Sequence, residues 1–398
     1  MVLFTNLRTK IAFSKQTRGI MQKIITILQQ KRLTLLGLYA LDNSMNIENL
    51  TQEAVKLLCR LIEIPRISRE EKEAADVLEE IMETEFNLSV NRDGNNLWSI
   101  APNYTESRKT LMINAHIDTV KPTANWTRQP NKATIEGDCI YGLGSNDDGA
   151  SLVSLIQAFR VLKDEALPYN LILAISAEEE VSGKNGMEHL LTVLPEIDVA
   201  LVGEPTGMHP AIAEKGLMVL DLTAHGVSGH AARNEGDNAI YHALDDIAWF
   251  REYRFPKESP ILGPVKMTVT IVNAGTQHNV IPSECTYTVD VRSNELYSNE
   301  EIFDIVRQNV KSEVKARSFR LSSSGISLTH PLVEKAVSLG RVPFGSPTLS
   351  DQALMRFPSL KMGPGNSSRS HTADEFIKIS EIKEAISIYL SILRDLVL

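Results

Sequence analysis

A chain of 398 residues can bury a large core and has room for two domains. Its 43% hydrophobic and 23% charged content is that of an ordinary globular protein, and a net charge of −9 argues against nucleic-acid partners, which call for a basic surface. Three widely separated cysteines, Cys59, Cys139 and Cys285, imply no disulfide framework and suit a reducing, cytoplasmic setting, while no stretch approaches the roughly 18 apolar residues of a membrane span.

Residues 1–44 differ from the rest. They carry seven basic residues and one acid, Asp42, and removing this +6 segment leaves −15 on residues 45–398. Such a basic, acid-poor start resembles an organelle transit peptide; the alternative is that Met45 is the true beginning, because an amphipathic helix pattern starts directly after it. Either way the chemistry is sought in residues 45–398. Apolar residues at helical spacing predict helices over 50–64 and 70–86. Short apolar runs at 97–100, 111–115, 171–175 and 199–202, with a helical pattern at 150–162, predict a largely parallel sheet covered on both faces, the α/β class.

Between about 213 and 321 the order changes. A strand at 217–224, a helix at 239–250, strands at 265–272 and 286–292, a helix at 299–314 and a short last strand read as βαββαβ, a compact α+β insertion. Helices at 331–339 and 381–396 then resume the first domain. The expected organisation is one domain from 45–212 and 322–398, interrupted by a second from 213–321.

The chemistry lies where the acids and histidines fall. LMINA is followed by His116-Ile-Asp118, LILAI by Ser176-Ala-Glu178-Glu179-Glu180, VALV by Gly203-Glu204, and the run beginning at Leu360 leads through a Gly/Ser loop to His371. In open α/β sheets ligands bind at the carboxyl ends of strands, so four strands deliver metal-type side chains to one edge. Between the first two, YGLGSNDDG places Asp147 before a helix, where an acid can also serve as a simple cap. Taken singly, His116 reads as a structural histidine and the three glutamates as a solvated face. Taken together, the several carboxylates converging on that edge would repel one another, and divalent cations remove that conflict. Two imidazoles with carboxylates suit zinc better than calcium or magnesium, which prefer oxygen shells. Asp118, two residues after His116, is placed to accept the second imidazole N–H; direct ligation is the alternative.

The stretches NAHIDTV, YGLGSNDDGA, SAEEEVSGKNG, VGEPTG, HGVSGHAARNEGDNAI, NAGTQHNVIPSE, VDVRS and GPGNSSRSHTADEF occur in the order of a known family. The chain resembles the acetylornithine deacetylase and succinyl-diaminopimelate desuccinylase family of zinc amidohydrolases over most of residues 45–398. The resemblance implies a zinc-peptidase-like sheet with a ferredoxin-like dimerisation or lid domain, and two Zn2+ per chain with Co2+ as a substitute. Asp147 would bridge the ions, His116 and Glu204 completing one shell, Glu180 and His371 the other. Glu179 would be the general base, with Glu178 standing where the family commonly has Asp. His230 would reach the partner subunit's active site in a homodimer, and Asn279 and Arg292 would hold a substrate carboxylate; the alternatives are a turn histidine and a surface ion pair. Leu143 and Asp148-Gly149-Ala150 depart from common family wording, which bears on substrate choice and not on the metal residues. The expected reaction is hydrolysis of an N-acyl amino acid, first N-acetyl-L-ornithine. N-succinyl-ornithine, N-succinyl-diaminopimelate and small peptides are alternatives, and a catalytically silent metal-binding scaffold is a remote one.

Overall fold

The computed structural model describes residues 46–233 and 235–398, so the expectation attached to 1–44 lies outside the described residues. Strands Thr110–His116 and Asn170–Ser176 are buried at every position and Val199–Pro205 at all but one, because helices cover both faces. With Ser359–Gly363 they form the parallel centre of a nine-stranded mixed sheet. Across the sheet the order runs Asn91–Asp93, Asn96–Ile100, Asn170–Ser176, Thr110–His116, Val199–Pro205, Ser359–Gly363, Ala211–Glu214 and Ser324–Gly325, with Phe344–Ser346 pairing on Ala211–Glu214. The strands before Asn170–Ser176 and the Ser324–Gly325 strand pair antiparallel.

The chain leaves Thr110–His116 for a neighbour on one side, Asn170–Ser176, and later fills the other side with Val199–Pro205. Connections that diverge from a central strand open a crevice at its carboxyl end. Helix Ala150–Leu162 makes the first crossover; it is apolar nearly all round because it lies between the sheet and helix Ile379–Arg394. A three-stranded ribbon, Phe376–Lys378, Cys139–Tyr141 and Thr134–Glu136, joins the segment after His371 to the one before Asp147.

Residues 218–316 build a separate four-stranded antiparallel sheet in the order Lys266–Ala274, Glu284–Arg292, Met218–His225, Glu313–Ala316. Alternating burial along Met218–His225 and Glu284–Arg292 marks one covered face, and that face joins helices Ala239–Glu252 and Asn299–Asn309 in a core that includes Leu220, Phe250, Tyr287, Val289 and Ile302. This strand order is ferredoxin-like. The whole is a mixed α/β fold with a largely parallel central sheet, as the apolar runs predict.

One helix is shorter than its periodicity predicts. The helix expected over 299–314 stops at Asn309. The carboxylate of Asp246 accepts the amides of Lys311 and Ser312 at 3.0 and 2.9 Å, and residues 313–316 pair with Met218–His225. Long-range pairing outcompetes local helical spacing there. Among the described residues no helix is long and apolar enough to cross a membrane.

Candidate metal centre

His116 ends its strand with both ring nitrogens engaged. Nδ1 lies 3.0 Å from the Asp118 carbonyl and 3.4 Å from its carboxylate, while Nε2 lies 3.2 Å from Asp147 Oδ1. Glu179 and Glu204 each stand 3.9 Å from the same Nε2. Asp147 turns its other oxygen, Oδ2, toward His371 Nε2 at 3.7 Å, and His371 meets Glu180 at 2.8 Å. His116 forms ligand-type clusters with Glu179 and Glu204 and with Asp147 and Glu180, the offered atoms of each lying within 4.8 Å. The structure therefore brings His116, Asp147, Glu179, Glu180, Glu204 and His371 together from five segments of chain.

The local backbone explains the aim of each group. Asn170–Ser176 is followed by a tight turn in which Glu178 is left-handed, at φ 54°. Glu178 turns its carboxylate to Asn185, 2.9 Å away, and toward Arg69, leaving Glu179 and Glu180 to face the cluster. The amides of those two residues donate to Asp118 at 3.0 and 3.1 Å, so Asp118 fixes the imidazole and the glutamate pair at once. Gly144, at φ 71°, permits the turn before Asp147; a Cβ there would come within 2.4 Å of Arg66 and Thr119. Arg66, fully buried, donates to the Gly144 carbonyl at 2.8 Å and to Ile117.

The electrostatics are those of anions crowded out of water. Burial, then the charges of Glu204 and Asp351, pushes Glu179 well above the ordinary glutamate value. Burial and Asp147 do the same to Glu204, and to a lesser extent to Glu180. Burial opposes a charged His116, but Asp118 and Asp147 outweigh it and hold the imidazole well above its usual range. Glu180 pushes His371 up to about 9. Burial likewise disfavours the Asp118 carboxylate, yet His116, Ser68 and the Glu179 amide keep it below the usual range.

His230, Asn279 and Arg292 stand elsewhere. His230 is exposed, its Nδ1 accepting from the Ala232 amide at 3.1 Å. The exposed Asn279 offers its carbonyl to Ala231, and Arg292 holds Asp290 through two bonds of 2.9 and 3.1 Å. No hydrogen bond or ion pair among the described residues joins these three to the cluster. Sequence reasoning did not find Glu71, Arg66, Asp351, Lys361 or Glu375. Glu71 is fully buried and accepts the Glu178 amide at 3.2 Å and the Arg69 amide at 2.6 Å. Lys361 and Glu214 form a buried pair at 3.2 Å. Only the position of Glu375, four residues beyond His371, offered any signal in the sequence.

Comparisons with known proteins agree with this picture. The profile of peptidase family M20/M25/M40 matches residues 112–395. The succinyl-diaminopimelate desuccinylase of Dinoroseobacter shibae is 30% identical over 379 residues, covering 86% of this chain and 99% of its own. The LysW-lysine/LysW-ornithine hydrolase of Sulfurisphaera tokodaii is 28% identical, covering 88% and 98%. Among solved structures, a tripeptidase from Staphylococcus aureus superposes with a TM-score of 0.69 at 21% identity, covering 86% and 98% of the two chains. Fold and centre together define a metal-dependent hydrolase that acts on amide bonds. The chain belongs to peptidase family M20/M25/M40.

Proposed function

We propose that the protein hydrolyses the amide of an N-acyl amino acid at a pair of divalent cations, zinc being the best match to the donor set. The observation that carries this reading is Asp147, whose two oxygens face different imidazoles, His116 and His371. Four carboxylates with two imidazoles fit such ions: the oxygens crowd together out of water, and cations relieve their repulsion. His116, Glu204 and one Asp147 oxygen would hold the first ion, and the other Asp147 oxygen, Glu180 and His371 the second. When bound, such a pair supplies Lewis acidity toward an amide carbonyl and makes water more acidic.

The chain's own residues do the rest. Asp118 holds the His116 ring and the backbone that aims Glu179. Glu179, its side chain 11% exposed and its proton affinity raised, takes a proton from the attacking water and returns it to the leaving nitrogen; general acid–base work of this kind contributes typically about 10²–10⁴-fold. In a homodimer, His230 of one subunit would help stabilise the oxyanion in the other, and Asn279 and Arg292 would take the substrate carboxylate once Arg292 exchanges Asp290 for it. Strand Lys266–Ala274 supports such a dimer: it is an edge strand, without a partner on its outer side among the described residues, and it exposes Ile271 and Val272.

N-acetyl-L-ornithine is the substrate suggested by the wording of the motifs. The desuccinylases among the relatives favour a second reading, N-succinyl-diaminopimelate. Turnover of zinc-loaded protein on N-acetyl-ornithine, N-succinyl-ornithine and N-succinyl-diaminopimelate, with Glu179→Gln as control, decides among them. No hydrolysis of any, together with no bound metal, overturns the proposal.

A further inference from the structure

Glu375 is 2% exposed and lies on the segment that carries His371. Its carboxylate accepts three backbone amides from the turn before the first crossover helix. Oε2 takes the Gly144 N–H at 2.9 Å, and Oε1 takes those of Asn146 and Asp147, each at 2.8 Å. Asn146 strengthens the same junction: its side-chain amide donates to the Asn366 carbonyl and the Ser370 hydroxyl, both at 3.2 Å, and its oxygen accepts the Asn366 amide at 3.0 Å. Strand Phe376–Lys378 then pairs with Cys139–Tyr141. A buried anion beside Asp147 is costly, and three convergent amides on two oxygens are an arrangement a neutral side chain cannot reproduce. Glutamine has one acceptor oxygen and would turn an N–H toward the remaining donors.

We propose that Glu375 is a positioning residue for the metal pair. By clamping the Gly144–Asp147 backbone to the His371 segment, it fixes Asp147 between His116 and His371 before any ion arrives. Groups behind the ligands tune affinity by orienting them. This inference rests on the two-ion reading above.

The test uses stripped, full-length wild type, Glu375→Gln and Glu375→Asp, titrated with Zn2+ in competition with a chromophoric chelator, beside kcat and KM on the best substrate and thermal unfolding. Wild type is expected to take up two ions. Folded Glu375→Gln should bind at least one of them about 10–100-fold more weakly, with a comparable fall in kcat and KM little changed. A purely structural part would lower the unfolding temperature and leave the zinc affinity of the folded protein untouched. Should Glu375→Gln not fold, Glu375→Asp, which keeps the charge on a shorter stem, is expected to lose roughly 10-fold in affinity. Two ions in wild type and unaltered affinities in a folded variant overturn the inference alone. No ion in wild type overturns the two-ion reading instead.

Discussion

Stripping divalent cations from the centre should make stability fall with pH, and the structure gives the size of the effect. Oxygens of Glu179 and Glu204 lie within 4.8 Å of one another, as do those of Asp147 and Glu180. Like charges at that separation repel by about 3.5 kcal/mol at an effective dielectric of about 20. Two such pairs set about 7 kcal/mol against the fully ionised centre, the scale of a domain's whole folding free energy. The folded protein escapes by keeping protons, which is why burial and neighbouring carboxylates raise Glu179, Glu204 and Glu180 above the ordinary value of 4.5. A carboxyl that binds protons more tightly when folded weakens the fold as pH climbs above that ordinary value. His371 acts in the same direction: its contribution is complete below 6.5 and is lost as pH rises through about 9. Asp118 and Asp147, held below 3.8, have the opposite sign, but only in stronger acid. The stripped protein should therefore lose stability steadily from about pH 5 to about pH 9, whereas zinc should flatten that slope and release protons on binding. Urea unfolding of both forms across this range, with calorimetry in two buffers of different ionisation enthalpy, measures both effects. Parallel pH profiles for stripped and loaded protein, with no proton release, would refute the reasoning.

Three further outcomes follow from individual residues. Glu179→Gln should retain both ions and lose about 10²–10⁴-fold in kcat; near-normal turnover would remove Glu179 as the base. Asp118→Asn replaces an acceptor of the Glu179 and Glu180 amides with a donor, and metal affinity or activity should drop about 10–100-fold, read by chelator competition and steady-state kinetics. Lys361→Met leaves Glu214 buried without its cation and should cost about 3–5 kcal/mol in chemical denaturation; a loss below about 1 kcal/mol would show that Ser350, hydrogen-bonded to Glu214, suffices.

Much of this protein could be read from its sequence because the signals were local. Runs such as LILAI, and LMINA apart from Asn114, are apolar at consecutive positions and suit strands covered on both faces, and an acid or histidine directly after such a strand emerges at its carboxyl edge. That rule and the family resemblance of the motifs point to the six cluster residues, and the succession of strand and helix patterns points to the βαββαβ order of the insertion. Adjacent acids differ only in where a turn points them, and the left-handed backbone at Glu178 sends its carboxylate to Asn185, leaving Glu179 and Glu180 to face the cluster. The sequence could not report which distant carboxylates hold the scaffold. Glu71 and Asp246 look like ordinary surface acids until the fold carries backbone amides to them, and the last turn of the helix expected at 299–314 gives way for the same reason. Side-chain type and spacing follow from the chain, whereas burial and the partner of each buried charge are properties of contacts between segments far apart in sequence. Only the tertiary structure could decide those.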